Sequence, residues 1–121
     1  VAVLGENELI ASFADQLRAE FGDQTSMVTY YSELYTGIDF VGPDCSKASG
    51  VTKICQKLGI SLKDVLAIGD DYNDLALLTS VGLGVAMLNA PEEVKREADY
   101  VTLSNDEDGV AHVLEEFCLK Y

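Results

Sequence analysis

The first third of the chain carries apolar and polar residues in a pattern that predicts a strand, a helix and two further strands. A short apolar run over Val1–Leu4 is typical of a strand, and Glu6–Phe21 repeats apolar residues at every fourth position, which predicts one face of a helix. That face consists of Leu9, Phe13, Leu17 and Phe21, with Ile10 beside them. Ser26–Tyr31 and Tyr35–Val41 are rich in β-branched and aromatic residues, and the short polar link between them predicts an antiparallel pair.

Gly42 and Pro43 interrupt this pattern, and we expect a domain boundary there, with residues 1–42 in one domain and residues 43–121 in a second. Beyond the boundary, helices and strands alternate with links of a few residues. The predicted helices follow Ser46, cover Leu75–Thr79, begin at Pro91 and include Val110–Phe117, and the predicted strands cover Val65–Ile68, Leu83–Met87 and Tyr100–Leu103. This alternation predicts an α/β fold with a parallel sheet covered by helices.

The composition narrows the possible functions. The chain has 121 residues, enough for a modest hydrophobic core, and its net charge of −13 argues against binding to nucleic acid or to anionic membranes. No apolar run approaches the length of a membrane span, and the first residues do not resemble a signal peptide. Three widely spaced cysteines form neither a zinc pattern nor a disulfide framework, so we expect a cytoplasmic protein.

Carboxylates gather directly after the predicted strand Val65–Ile68, at Asp70, Asp71 and Asp74, with Asn73 among them. In an open α/β sheet, ligands bind beyond the carboxyl ends of the strands. Like charges this close repel unless a cation or a proton intervenes, and Mg²⁺ prefers a few carboxylates while it keeps waters and phosphate oxygens as other ligands. The segment therefore predicts a Mg²⁺ site. The alternative is that Asp70, Asn73 and Asp74 only cap the helix that follows. Asp71 is expected to lie in an exposed loop.

Several segments, in this order and spacing, resemble one known family. They are Ser46-Lys47 before a helix, IGDDYND over Ile68–Asp74, GVAMLNA over Gly84–Ala90, the pairs Val94-Lys95 and Ala98-Asp99, and SNDEDGVA over Ser104–Ala111. Together they resemble the carboxyl-terminal portion of a haloacid dehalogenase-like (HAD) superfamily hydrolase of the Cof-type phosphatase subfamily. The resemblance implies the carboxyl-terminal half of a Rossmann-like HAD core, a parallel sheet with helices on both faces, preceded by the end of an α/β cap domain.

The resemblance also implies roles for individual residues. Lys47 matches the family's catalytic lysine, which steadies the nucleophile and the phosphate, and Asp70 matches the direct metal ligand. Asn73 and Asp74 match the positions that complete the metal loop through water, substrate or supporting contacts. Asn89 matches a position near the phosphate, and the alternative is that it caps the next helix. The implied function is Mg²⁺-dependent hydrolysis of small phosphate monoesters, such as sugar phosphates or phosphorylated cofactors, through an aspartyl-phosphate.

Two parts of the family's pattern have no match in this chain: the DxD motif that supplies the nucleophile, and the Ser or Thr that holds the phosphoryl group. Family members use the first aspartate of a DxD motif as the nucleophile and the second as general acid and base, and the 121 residues contain no DxDGT-type motif. We therefore expect the nucleophile to lie N-terminal to this chain, and we expect the chain by itself to be inactive. The alternative is a non-catalytic fragment or interaction module that keeps only a divalent-cation site.

The missing motif has a consequence for the predicted strand Val65–Ile68. In this fold the nucleophile strand lies beside it, so we expect one edge of Val65–Ile68 to be open. An unpaired strand edge invites pairing with another strand. The expected partner is the missing N-terminal half of the same protein or a second copy of the chain.

Overall fold

The computed structural model describes residues 2–22, 24–31 and 35–119. Val1, at the start of the predicted first strand, lies outside the described residues. Tyr121, at the end of the predicted second domain, also lies outside them. The chain divides into two compact units, Val1–Cys45 and Ser46–Tyr121, so the division falls shortly after the Gly42–Pro43 interruption. None of the helices within the described residues has the length and hydrophobicity of a membrane span.

The first unit is a three-stranded antiparallel sheet with one helix. Its elements are β1 (Ala2–Gly5), α1 (Asn7–Phe21), β2 (Ser26–Tyr31) and β3 (Thr36–Val41). Strand β3 lies in the middle, in the order β1-β3-β2, and pairs antiparallel with both neighbours. The predicted succession of strand, helix and antiparallel strand pair is therefore confirmed.

Helix α1 buries part of the face that the four-residue repeat predicts. Ile10 of that face is buried together with Ala14 and with Ile38 of β3, whereas Leu9 is 69% exposed and Phe13 is 38% exposed. Residues at i and i+4 lie on the same side of a helix, so Ile10 and Ala14 form a row one position along from Leu9 and Phe13. The row that packs against β3 is therefore shifted by one position from the row of the repeat.

The second unit alternates helices and strands, as predicted. Its elements are α2 (Lys47–Leu58), β4 (Leu66–Gly69), α3 (Leu75–Leu78), β5 (Leu83–Ala86), α4 (Glu92–Glu97), β6 (Tyr100–Val101) and α5 (Gly109–Val113), which a π-helical turn over Leu114–Cys118 continues. The strands are parallel in the order β4-β5-β6. The core beside the sheet contains Ala67, Leu78, Ala86, Ala90 and Val94. The predicted α/β class with a parallel sheet is confirmed.

The edge of β4 that the sequence predicts to be open has no strand partner among the described residues. There, β4 pairs with β5 alone. Helix α2 buries Cys55, whereas Ile54 and Leu58 on the same helix are more than half exposed.

Candidate functional site

Lys47 is held at the first position of helix α2 by a reciprocal cap. The Ser49 backbone N–H donates to the Ser46 hydroxyl over 3.0 Å, and the Ser46 backbone N–H donates to the Ser49 hydroxyl over 3.0 Å. These two bonds satisfy backbone donors that a helix start otherwise leaves unpaired. At the other end, Gly59 takes the left-handed backbone conformation with φ of 67°, which ends the helix. The backbone that carries Lys47 is therefore well ordered by local contacts.

The acidic segment after β4 folds into a tight turn that Asp74 closes. Tyr72–Asp74 forms one 3₁₀ turn, and Asp71 caps it by accepting the Tyr72 backbone N–H over 2.7 Å. The Asp74 carboxylate reaches back, and its Oδ2 atom accepts the backbone N–H groups of Asp70 and Asp71 over 3.1 and 3.3 Å. Asp71 therefore caps this turn, where the sequence predicts only an exposed loop, and the capping alternative describes part of what Asp74 does.

Gly69 allows this turn to close. A Cβ atom at position 69 would lie 2.7 Å from Cγ of Asp74 and 2.9 Å from its Oδ2 atom, closer than real Cβ contacts. Asp74 is itself buried, with 4% of its surface exposed, so it has little room to move away. A side chain at position 69 would displace the carboxylate that closes the turn.

Lys47 and the acidic turn meet although they are far apart in the sequence. The Lys47 ammonium donates to Oδ1 of Asp74 over 2.5 Å and to Oδ1 of Asn73 over 3.2 Å. The Asp74 side chain is 6% exposed and that of Lys47 is 51% exposed, so a buried carboxylate receives a half-exposed cation. With the ammonium on one oxygen and two backbone N–H groups on the other, both oxygens of Asp74 are hydrogen-bonded, as a buried charge requires.

Asp70 has a different environment from Asp74. It directly follows β4 and is exposed. Its carboxylate accepts no hydrogen bond from the described residues. Within the described ranges, no three Asp, Glu, His or Cys side chains lie close enough together to hold a metal ion. The described residues therefore fit part of a Mg²⁺ ligand set: Asp70 offers one free carboxylate, and Mg²⁺ is often bound by one or two carboxylates with waters and phosphate oxygens as its other ligands.

Asn89 lies in the loop that follows β5. The Met87 backbone N–H donates to the Gly69 carbonyl over 2.9 Å, which holds the start of this loop beside the end of β4. The Asn89 side-chain carbonyl accepts the Asn105 backbone N–H over 3.0 Å. Helix α4 has Pro91 at its N-cap and no side-chain cap. The alternative that Asn89 caps this helix is therefore wrong, because its oxygen is bonded to Asn105.

The segment that contains Asn105 is held by a capping box that the sequence analysis missed. The Ser104 hydroxyl donates to the Glu107 carboxylate over 2.6 Å, and the Ser104 backbone N–H donates to it over 3.2 Å. These hydrogen bonds lower the pKa of Glu107 below its ordinary value of 4.5. The signal was present, because a Ser followed three residues later by a Glu is the sequence pattern of a capping box.

Comparisons with known proteins identify a family for most of the chain. Residues 1–114 match the family model of haloacid dehalogenase-like hydrolases. Two relatives from Bacillus subtilis are the stress response protein YhaX, 48% identical over 66% of this chain, and the 5-amino-6-(5-phospho-D-ribitylamino)uracil phosphatase YcsE, 43% identical over 69% of this chain. The chain spans only 28% and 34% of the length of these two relatives.

The solved structures agree with the sequence relatives. The crystal structure of a haloacid dehalogenase-like hydrolase from Bacteroides thetaiotaomicron has a TM-score of 0.80 and 36% sequence identity to this chain. The match covers 95% of this chain and 42% of that protein. The fold described above is thus similar to a part of that hydrolase.

Proposed function

Because this chain belongs to the haloacid dehalogenase-like hydrolase family, we propose that it is the carboxyl-terminal part of a Cof-type, Mg²⁺-dependent phosphatase that hydrolyses small phosphate monoesters in the cytoplasm. Residues 1–42 would be the end of the α/β cap domain, and residues 43–121 the carboxyl-terminal half of the Rossmann-like core. The observation that carries the proposal is the ion pair between Lys47 and Asp74, formed beside the exposed carboxylate of Asp70.

Lys47 has the properties that phosphoryl transfer asks of a cation. Its ammonium is a compact point charge, half exposed, and held by Asn73 and Asp74 at the carboxyl end of β4. A carboxylate nucleophile and an anionic phosphate repel each other, and a fixed positive charge between them reduces that repulsion. The net charge of −13 makes such a local cation more important, because the rest of the chain repels a phosphorylated substrate. In the proposed mechanism Lys47 offsets this repulsion and orients the phosphate.

Asp70 would hold the metal ion. Its carboxylate is free and follows a buried strand directly, so its backbone is fixed while its oxygens stay accessible. Asn73 and Asp74 would complete the metal loop through supporting contacts, since both accept from Lys47 and Asp74 also orders the Asp70 backbone. Mg²⁺ supplies charge neutralisation of phosphate oxygens when it is bound.

Asn89 would lie on the phosphate side of the site. Its carbonyl oxygen is taken by the Asn105 backbone N–H, which leaves the amide group to donate. The amide has no hydrogen-bond partner among the described residues and the side chain is exposed. An oriented amide donor suits a phosphoryl oxygen, which carries negative charge in the bound ester as well as in the transition state.

The nucleophile would come from chain that precedes these 121 residues. Its carboxylate oxygen would form a bond to phosphorus as the ester P–O bond breaks, and the second aspartate of the DxD motif would give its proton to the leaving alcohol. That aspartate would then take a proton from water, whose oxygen bonds to phosphorus as the aspartyl P–O bond breaks, so that phosphate is released and the nucleophile is restored. The open edge of β4 supports this division, because an N-terminal strand that carried the nucleophile would find its pairing partner there. The relative YcsE is a phosphatase of a phosphorylated ribitylaminouracil, a phosphate monoester, which supports the proposed substrate class.

The test compares two forms of the protein on a panel of phosphomonoesters with Mg²⁺. A form that extends N-terminally through a DxDGT-type motif is expected to release phosphate, and the 121-residue chain alone is expected to release none. Lys47→Met in the extended form should reduce turnover by at least about a hundredfold, since electrostatic groups of this kind contribute that much. An extended form that hydrolyses no ester would overturn the proposal and favour a non-catalytic module that keeps only a cation site.

A further inference from the structure

We propose that Lys95 is a positioning residue of the phosphate site: it holds the Met87–Ala90 loop, and through it Asn89, without touching the substrate. The proposal rests on the proposed function, because it concerns the same site. Lys95 lies on α4, away from the acidic turn in the sequence. Its side chain is only 19% exposed, which is low for a lysine on a short helix at the surface.

The Met87–Ala90 loop is fixed at its backbone by three hydrogen bonds. The Met87 N–H donates to the Gly69 carbonyl over 2.9 Å, the Leu88 N–H to the Leu103 carbonyl over 3.2 Å, and the Ala90 N–H to the Met87 carbonyl over 3.0 Å. The first joins the loop to the last residue of β4, and the second joins it to the segment after β6. The loop is therefore attached on both sides before any side chain contributes.

Two side chains complete this attachment. Asn89 accepts the Asn105 N–H, as described above, and the Lys95 ammonium donates to the Leu88 carbonyl over 3.3 Å. The ammonium also pairs with Glu92 over 2.6 Å, and because the Glu92 side chain is 92% exposed, this pair is solvated and contributes little. The bond to Leu88 is the contact that links Lys95 to the site, because Leu88 directly precedes Asn89.

This arrangement gives Lys95 a specific task. The Asn89 amide is useful as a phosphate donor only if the peptide that carries it keeps one orientation, and the Leu88 carbonyl belongs to that peptide. A charged donor on this carbonyl stabilises that orientation more than a neutral one would. Loss of the donor should leave the fold intact, loosen the Leu88–Asn89 peptide and weaken phosphate binding.

The experiment has two readouts. The first readout is the hydrogen-exchange rate of the Leu88 and Asn105 backbone amides, measured in the 121-residue chain for wild type and for Lys95→Met. The Gly84 backbone amide is the reference. The Gly84 N–H donates to Asp99 over 2.8 Å at the opposite end of β5. We expect exchange of Leu88 and Asn105 to accelerate about fivefold, as loss of one hydrogen bond implies, with Gly84 unchanged. Lys95→Arg should restore wild-type exchange, and Arg96→Met, an exposed neighbour on α4, should change nothing.

Hydrolysis by the N-terminally extended form supplies the second readout. Lys95→Met should raise KM about fivefold and leave kcat nearly unchanged, because a lost phosphate contact weakens substrate and transition state alike. A merely structural lysine would lower the active fraction and leave KM unchanged. An unchanged KM in Lys95→Met would overturn the proposal. Equal acceleration of exchange at Gly84 would overturn it as well, and so would exchange of Leu88 and Asn105 at the wild-type rate in this variant. An inactive extended form would overturn the proposed function and the KM effect with it, while the exchange result still decides whether Lys95 holds the loop.

Discussion

The ammonium nitrogen of Lys47 lies 2.5 Å from Oδ1 of Asp74, although the two residues are 27 positions apart in the sequence. This contact joins the start of α2 to the turn that follows β4. It also places a cation against a carboxylate whose other oxygen orders the backbone of Asp70 and Asp71. Asp74 is therefore a structural centre of the candidate site, and it orders the residue that would bind the metal.

Removal of the Asp74 carboxylate should destabilise the second unit. Asp74→Ala leaves two backbone N–H groups without their acceptor, so we expect the free energy of unfolding to fall by about 1–3 kcal/mol. Lys47 is half exposed, and loss of its ion pair adds little because water solvates the freed ammonium. Urea denaturation measures the change. Asp64→Ala, at an exposed position, serves as the control and should stay within about 0.5 kcal/mol of wild type. Equal stability of the two variants would contradict this account.

Two glycine substitutions should have opposite effects. In Gly69→Ala the new methyl group collides with the buried Asp74 side chain, so we expect a loss of about 1–3 kcal/mol. Gly50 lies inside α2 and has no atom within 4 Å of an added Cβ, so Gly50→Ala should stabilise the chain by about 0.4–1 kcal/mol. Thermal or urea unfolding of the two variants checks the sign of each effect. A stable Gly69→Ala variant would show that the turn does not need the close approach.

Asp70 and Asp71 should differ in their effect on Mg²⁺ binding. Asp70 has a free carboxylate, whereas Asp71 uses its side chain to cap the 3₁₀ turn. We expect Mg²⁺ to shift the backbone amide resonances around Asp70 in wild type and in Asp71→Asn, and to cause no shift in Asp70→Asn. The free energy of unfolding of Asp70→Asn should stay within about 0.5 kcal/mol of the wild-type value, because no described contact is lost. Undiminished Mg²⁺ binding by Asp70→Asn would refute the assignment of Asp70.

The capping box at Ser104 should make a pH-dependent contribution to stability. The hydrogen bonds from Ser104 lower the pKa of Glu107 below 4.5, so folding favours the ionised carboxylate. The contribution is fully present above pH 4.5 and is lost as the pH falls below that value through the lowered pKa of the folded state. A proton titration of Glu107 by NMR gives the pKa directly. Glu107→Gln should show a smaller loss of stability on acidification than wild type, and an identical pH profile would contradict the prediction.

Much of the fold was predictable from short-range patterns. The order of helices and strands followed from hydrophobic periodicity and from Ser46, Gly59 and Pro91 at helix ends, because these signals act within a few residues of each other. These patterns did not predict which face of a helix is buried. Leu9 and Ile10 are neighbours on α1, and the fit against β3 decides which of the two is buried.

The candidate site shows the same division between local and tertiary information. Residue type and spacing were sufficient to identify the family, the set of polar residues and the position of Asp70 after a strand. The folded arrangement was needed to find that Asp74 closes the turn onto Lys47, that Asn89 bonds to Asn105 and that Lys95 reaches Leu88. These contacts join residues that different elements bring together, and a hydrogen bond depends on distances of a few tenths of an ångström that no periodic pattern encodes.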